Sequence, residues 1–135
     1  GTLPSFATTG ATAPRARPLS QIDVERTLLS GTLPTFSSLA NLERINFGNT
    51  SISGTIPPEF GDLKALEKVE LEIMAKLSGT LPPSLGQARR LNDVEIERTS
   101  ISGTIPHQLG KLYALRDLEL HKNKLSGSLH YELFA

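Results

Sequence analysis

Thr50–Pro57 reads TSISGTIP, and the same letters return in order at Thr99–Pro106. Close variants lie around them: LSGTLP at Leu29–Pro34 and again at Leu77–Pro82, and LSGSL at Leu125–Leu129. The glycines of these boxes, Gly31, Gly54, Gly79, Gly103 and Gly127, are separated by 23, 25, 24 and 24 residues. A period of this size marks a stacked array, in which each unit buries its apolar face only against its neighbours.

Outward from each box the same skeleton recurs. Its clearest copy is Leu115, Leu118, Leu120, Asn123, Leu125, Gly127, Leu129. Equivalent places hold Leu19, Ile22, Val24, Thr27, Leu29; Leu42, Ile45, Phe47, Thr50, Ile52; Leu66, Val69, Leu71, Leu77; and Leu91, Val94, Ile96, Thr99, Ile101. Alternation such as Ile45-x-Phe47 or Val94-x-Ile96 has the period of two expected of a strand. The box glycines fall where the chain must turn and a side chain would clash. Pro34, Pro57, Pro82 and Pro106 then fix φ where a short helical turn starts. In PPEFGDLKAL, PPSLGQARRL and PHQLGKLYAL the residues Phe60, Leu85 and Leu109 are expected to point inward, with Gly61, Gly86 and Gly110 turning the chain.

The skeleton L-x-x-L-x-L-x-x-N-x-L resembles the leucine-rich repeat. The added S-G-x-I/L-P and the 24-residue unit resemble its plant-specific subclass, found in receptor-kinase ectodomains and in related algal and protist proteins. The resemblance covers about Leu19–Leu133. It implies an α/β solenoid: a right-handed superhelix with a parallel β-sheet on its concave face and short 3-10 or helical turns on its convex face. It also implies a short second sheet built from the boxes. Residues 1–18 divide off as a partial repeat, GTLP at Gly1–Pro4, followed by a Thr/Ala/Pro-rich insertion or leader at Ser5–Pro18. Residues 19–135 form the array of about five repeats of 23–25 residues, the last incomplete.

Two departures from the pattern stand out. The ladder asparagine is present only as Asn123, with Thr27, Thr50 and Thr99 in its place elsewhere. The unit Leu71–Leu77 is one residue longer than its sisters, so a bulge is expected at Met74–Lys76. Neither end reads as a cap. Leu133 and Phe134 look suited to burial, and the chain is expected to belong to a longer protein or to rest on partners.

The residues between the strand leucines should face outward from the concave sheet. By register the central column holds Asp23, Asn46, Glu70, Glu95 and Glu119. The next holds Glu25, Gly48, Glu72, Glu97 and His121, and the one beyond holds Arg26, Asn49, Arg98 and Lys122. On the other flank lie Gln21, Arg44, Lys68, Asp93 and Asp117. Like charges on adjacent strands, about 4.8 Å apart, cost stability. Asp23, Glu25, Arg44, Asn46, Lys68, Glu70, Glu72, Glu95, Glu97, Arg98, Glu119 and His121 are therefore the candidate partner-binding residues. The centre of this face is an acidic stripe, which Arg26, Lys68, Arg98 and Lys122 could instead neutralise laterally.

Other chemistry is poorly supplied. Lys plus Arg and Asp plus Glu both total 14, so no net field favours nucleic acid or an anionic membrane. There is no cysteine, which removes disulfides and thiolate chemistry, and no apolar run approaches a membrane span. His107, His121 and His130 lack metal-ligand spacing, no Ser sits in a nucleophile elbow, and the glycines recur singly instead of forming a phosphate loop. Thr32, Thr55, Thr80 and Thr104 recur once per unit in a row too narrow for an ice-binding surface, and read as turn chemistry. Neither an enzyme nor a cofactor or metal is expected, and the compartment is left unassigned. The expected role is a scaffold whose acidic concave face binds a protein or peptide, of basic character. The alternatives are a structural or docking subunit that uses its ends and convex side, in an assembly that could be membrane-associated, and, by resemblance, a receptor-like ectodomain fragment.

Overall fold

A computed structural model describes residues 16–134. The GTLP at Gly1–Pro4 and most of the Ser5–Pro18 segment lie outside the described residues. Strands are numbered in chain order. The strands β1 (Gln21–Asp23), β3 (Arg44–Asn46), β5 (Lys68–Glu70), β7 (Asp93–Glu95) and β9 (Asp117–Glu119) form one parallel sheet in that order. Ile22, Ile45, Val69, Val94 and Leu118 stand in register across it. Residues two dozen places apart are thus direct neighbours, and the expected charge columns are in place.

The boxes make the second line of strands. β2 (Ser30–Thr32), β4 (Ser51–Thr55) and β6 (Leu77–Ser78) pair in parallel, as do β8 (Ser102–Gly103) and β10 (Lys124–Leu125). A Thr80–Ser102 bridge lies between the two groups. The box glycines all have left-handed φ, between 79° and 102°. Their missing side chains also leave room for the preceding repeat: a Cβ at Gly79 would lie 2.7 Å from Thr55 Cγ2 and one at Gly127 2.7 Å from Thr104 Cγ2. The threonine row is thereby accounted for, because its methyls fill the space above the next glycine.

Short 3-10 turns, Pro58–Asp62, Pro83–Gln87, His107–Lys111 and Tyr131–Leu133, form the opposite side. Pro57, Pro82 and Pro106 are the extended residues that immediately precede three of them, with φ of −61°, −70° and −64°. Phe60, Leu85 and Leu109 point into the core as expected. The role of Gly61, Gly86 and Gly110 differs from the expectation. They lie within the 3-10 turns rather than at a change of direction, and a Cβ on them would sit 2.0, 2.2 and 2.1 Å from the carbonyl oxygens of Ser84, Gln108 and Glu132. They let one turn rest directly on the backbone of the next.

Both irregular intervals have local causes. The 23-residue interval comes from a convex segment one residue short, which forms no 3-10 turn; Phe36 adopts φ of 56° and packs between Phe47 and Phe60, with ring centroids 5.9 Å from each. The 25-residue interval comes from the long third unit, but the bulge is narrower than expected. Met74 is fully buried and bridges to Thr99, so it occupies the threonine column, and only Ala75 and Lys76 are exposed. Leu133 packs against the core, whereas Phe134, expected to be buried, is exposed.

The single ladder asparagine joins the last two repeats. Asn123 Nδ2 donates to Ile96 O at 2.6 Å and Leu120 O at 3.0 Å, while its Oδ1 accepts from Thr99 N at 2.9 Å and Thr99 Oγ1 at 2.8 Å. Thr50 makes only the local bond, Oγ1 to Phe47 O at 2.8 Å. One amide therefore does across repeats what a hydroxyl does within one.

The glycine contacts give a direct test of the stacking. Gly86→Ala should cost about 2–3 kcal/mol in urea unfolding, because the methyl must displace backbone rather than a flexible side chain. Gln87→Ala, on the exposed side of the same turn, should stay within about 0.5 kcal/mol of wild type.

Candidate functional site

The outer face of the five-stranded sheet carries the charge columns, and its two halves differ. In the first half the charges close on one another. Lys68 Nζ reaches Asp93 Oδ2 at 2.7 Å, Glu95 Oε1 at 2.9 Å and Glu70 Oε1 at 3.3 Å. Arg44 Nε donates to Glu70 Oε2 at 2.7 Å. These pairs run across the strands, so the like-charged neighbours Arg44/Lys68 and Glu70/Glu95 each gain an opposite charge from the next column. Burial works against the Lys68 ammonium, but hydrogen bonds to Asp93 and Glu95 and the Glu70 charge outweigh it and hold its pKa above the usual lysine range. This contribution to stability is complete below a lysine's ordinary pKa, about 10.4, and is lost only as pH rises beyond it.

Several candidate residues therefore serve the fold itself. Glu70 is buried within this network, and Asn46 is buried with its Oδ1 accepting the Gly48 N–H at 3.0 Å. Both keep their register in the central column, but neighbouring side chains cover them there. At the start of the array Arg26 pairs with Glu25 at 3.1 Å, and Asp23 Oδ1 accepts the Glu25 N–H at 3.2 Å. Lateral neutralisation comes from Lys68 and from Arg44, whose diagonal reach spacing alone does not reveal. Arg98 lies 3.8 Å from Glu97, and Lys122 has no ion pair among the described residues.

The second half is left open. Glu95 and Glu119 oppose each other in register, as do Asp93 and Asp117, and both Asp117 and Glu119 are exposed. Glu72 Oε2 and Glu97 Oε2 are buried without a hydrogen-bond partner among the described residues, although Glu97 Oε2 is in close contact with His121 Nε2. Burial raises the Glu72 pKa, and the charges of Glu95 and Glu70 raise it further. Donor atoms of Glu97, Glu119 and His121 lie within 4.8 Å of one another. Such a set can accept a cation, but two of the three side chains are exposed and the Glu97–His121 contact already accounts for their approach.

One residue of this face was missed in the sequence. The flanking column Arg26, Asn49, Arg98 and Lys122 also includes Ile73, and all five have φ between 52° and 57°. The extra residue of the third unit hid it. Aligning Leu71–Met74 with Phe47–Thr50, which places Met74 beneath the threonines, would have found it.

With this geometry in view, the resemblance to known proteins is specific. The family model described as Leucine Rich Repeat matches residues 41–63. The plant peptide hormone receptor RGFR1, solved in complex with RGF2, is similar at 31% identity and a TM-score of 0.82, over 85% of this chain and 18% of that one. The chain is a leucine-rich-repeat protein of the plant-specific type. The Arabidopsis thaliana BIR3–SERK2 complex contains a chain similar at 27% identity and a TM-score of 0.83, over 90% of this chain and 65% of that one. The Arabidopsis receptor kinase HAESA, in complex with the peptide hormone IDA and the co-receptor SERK1, is similar at 28% identity and a TM-score of 0.81, over 85% and 19%. This leucine-rich-repeat chain thus spans less than a fifth of the RGFR1 and HAESA chains. No curated protein sequence matches it.

The crowded Glu72 carboxylate yields a pH test. Its folded-state pKa is raised, so its favourable contribution is present below the ordinary carboxyl pKa, about 4.3, and is lost as pH rises through the folded value. Glu72→Gln should therefore gain stability relative to wild type as pH rises from 4 to 7, read by thermal melts at each pH. A difference that is constant across this range contradicts the assignment.

Proposed function

We propose that this array is a binding module whose concave sheet takes a protein or peptide partner with basic character. The observation that carries the reading is the asymmetry of the face. Its first half is occupied by its own ion pairs, whereas Glu72, Asp117 and Glu119 have no ion pair among the described residues and Glu97 has only His121 and a distant Arg98 beside it. Carboxylates brought together without counter-charges cost stability, and a cationic partner is the group that recovers the loss. The neighbouring structures, solved with a peptide hormone or a co-receptor, support a polypeptide partner.

A second reading is a docking subunit that uses the last repeat and the convex side. Leu129, Tyr131 and Phe134 at 62%, 78% and 75% exposure, with Tyr113 at 80%, favour it. The two readings differ in which surface is sensitive to mutation. A Glu97→Lys/Glu119→Lys double reversal should weaken binding to immobilised Lys/Arg-bearing peptides about tenfold and reduce its salt dependence. Glu59→Lys, on the convex side, should leave it unchanged. Unaltered binding by the double reversal rejects the concave face.

A further inference from the structure

Ile73 breaks two rules at once. It is a β-branched residue at φ of 56°, where Cβ crowds the backbone, and it is 46% exposed on a charged face. The conformation is imposed by the fold. The N–H groups of Arg26, Asn49, Ile73 and Arg98 donate to Gly48, Glu72, Glu97 and His121 carbonyls at 3.0, 2.8, 3.0 and 3.2 Å, so each is pinned into the ladder between repeats. Four of the five residues in this column are Arg, Asn, Arg and Lys, which suit an exposed left-handed site better. Ile73 belongs neither to the buried core nor to the partly buried apolar residues packed against it. A strained, exposed apolar side chain that the fold does not use points outward, to something the fold does not contain.

Its surroundings state the chemistry of that partner. Ile73 follows Glu72 and donates its N–H to the Glu97 carbonyl. Glu72 Oε2 and Glu97 Oε2 are, with Asp93 Oδ1, buried oxygens without a hydrogen-bond partner among the described residues, Glu97 Oε2 having only the His121 ring against it. An apolar contact flanked by two such carboxylates complements an apolar side chain flanked by a cation. We infer that Ile73 anchors an extended peptide segment in which a Leu, Ile or Phe stands next to a Lys or Arg. This rests on the concave-face reading above and adds to it an apolar determinant that charge alone does not supply.

The test uses the full chain and an array of eight-residue peptides, each with one Leu, Ile or Phe beside one Lys or Arg. Matched arrays replace the apolar residue by Ser or the cation by Asp. Wild type should bind the first array and lose binding to both controls. Ile73→Asn, which copies Asn49, should bind about tenfold more weakly while its melting temperature stays equal or rises, because asparagine tolerates left-handed backbone. Ile73→Val should bind like wild type. If Ile73→Asn binds as well as wild type, or the Ser array binds as well as the first, the anchor is wrong while the acidic-face reading stands. If no cationic peptide binds at all, both are wrong. A fall in melting temperature of Ile73→Asn without a fall in binding would make Ile73 a packing residue and overturn the inference.

Discussion

Each coil of this chain must approach the next to within one β-spacing along two lines at once. On one side the hydrogen bonds of the parallel sheet set the distance at about 4.8 Å. On the other, the carbonyls of Ser84, Gln108 and Glu132 come down onto Gly61, Gly86 and Gly110. A side chain at those glycines would splay the coils apart, and the core of Leu, Ile and Val layers between the two lines would open. The box glycines, with threonine methyls seated over them, hold the intermediate line of strands to the same spacing.

The charge pattern is a consequence of that spacing. Coils that repeat in register put like residues beside like, and the sheet therefore carries stacks of one sign. In β3 to β7 the stacks are offset so that Arg44 and Lys68 meet Glu70, Asp93 and Glu95. Beyond β7 there is no comparable cation in the adjacent column, since Asp117 replaces what was Arg44 and Lys68. The same geometry forces a left-handed residue once per coil beside the sheet. Function is thus proposed where the repeat leaves something over: carboxylates without partners and an isoleucine in a conformation that suits it poorly.

Much of this was legible in the sequence because glycine, proline and alternating apolar residues are read by position. The strand register, the inward Phe60, Leu85 and Leu109 and the charge columns all follow from counting from the boxes, while the second sheet was implied by the family resemblance. Counting failed at the third unit. One extra residue moved Met74 from an expected bulge into the core and concealed Ile73. The function of Gly61, Gly86 and Gly110 was also misjudged, since a close approach between coils depends on backbone that lies two dozen residues away. Side-chain reach was the remaining gap: Arg44 satisfies Glu70 diagonally, which register predicts only as a neighbour, and this is why the stripe is less open than its composition suggests.

Because the chain has no native cysteine, its register can be measured by cross-linking. Cysteines at Glu95 and Glu119, paired across adjacent strands, should stand about 4.8 Å apart at Cα and oxidise readily to a disulfide found by peptide mass mapping. Cysteines at Glu70 and Glu119, two strands apart at roughly twice that distance, should remain reduced under the same conditions. A disulfide in the second variant and none in the first would contradict the coil-on-coil register on which every surface assignment depends.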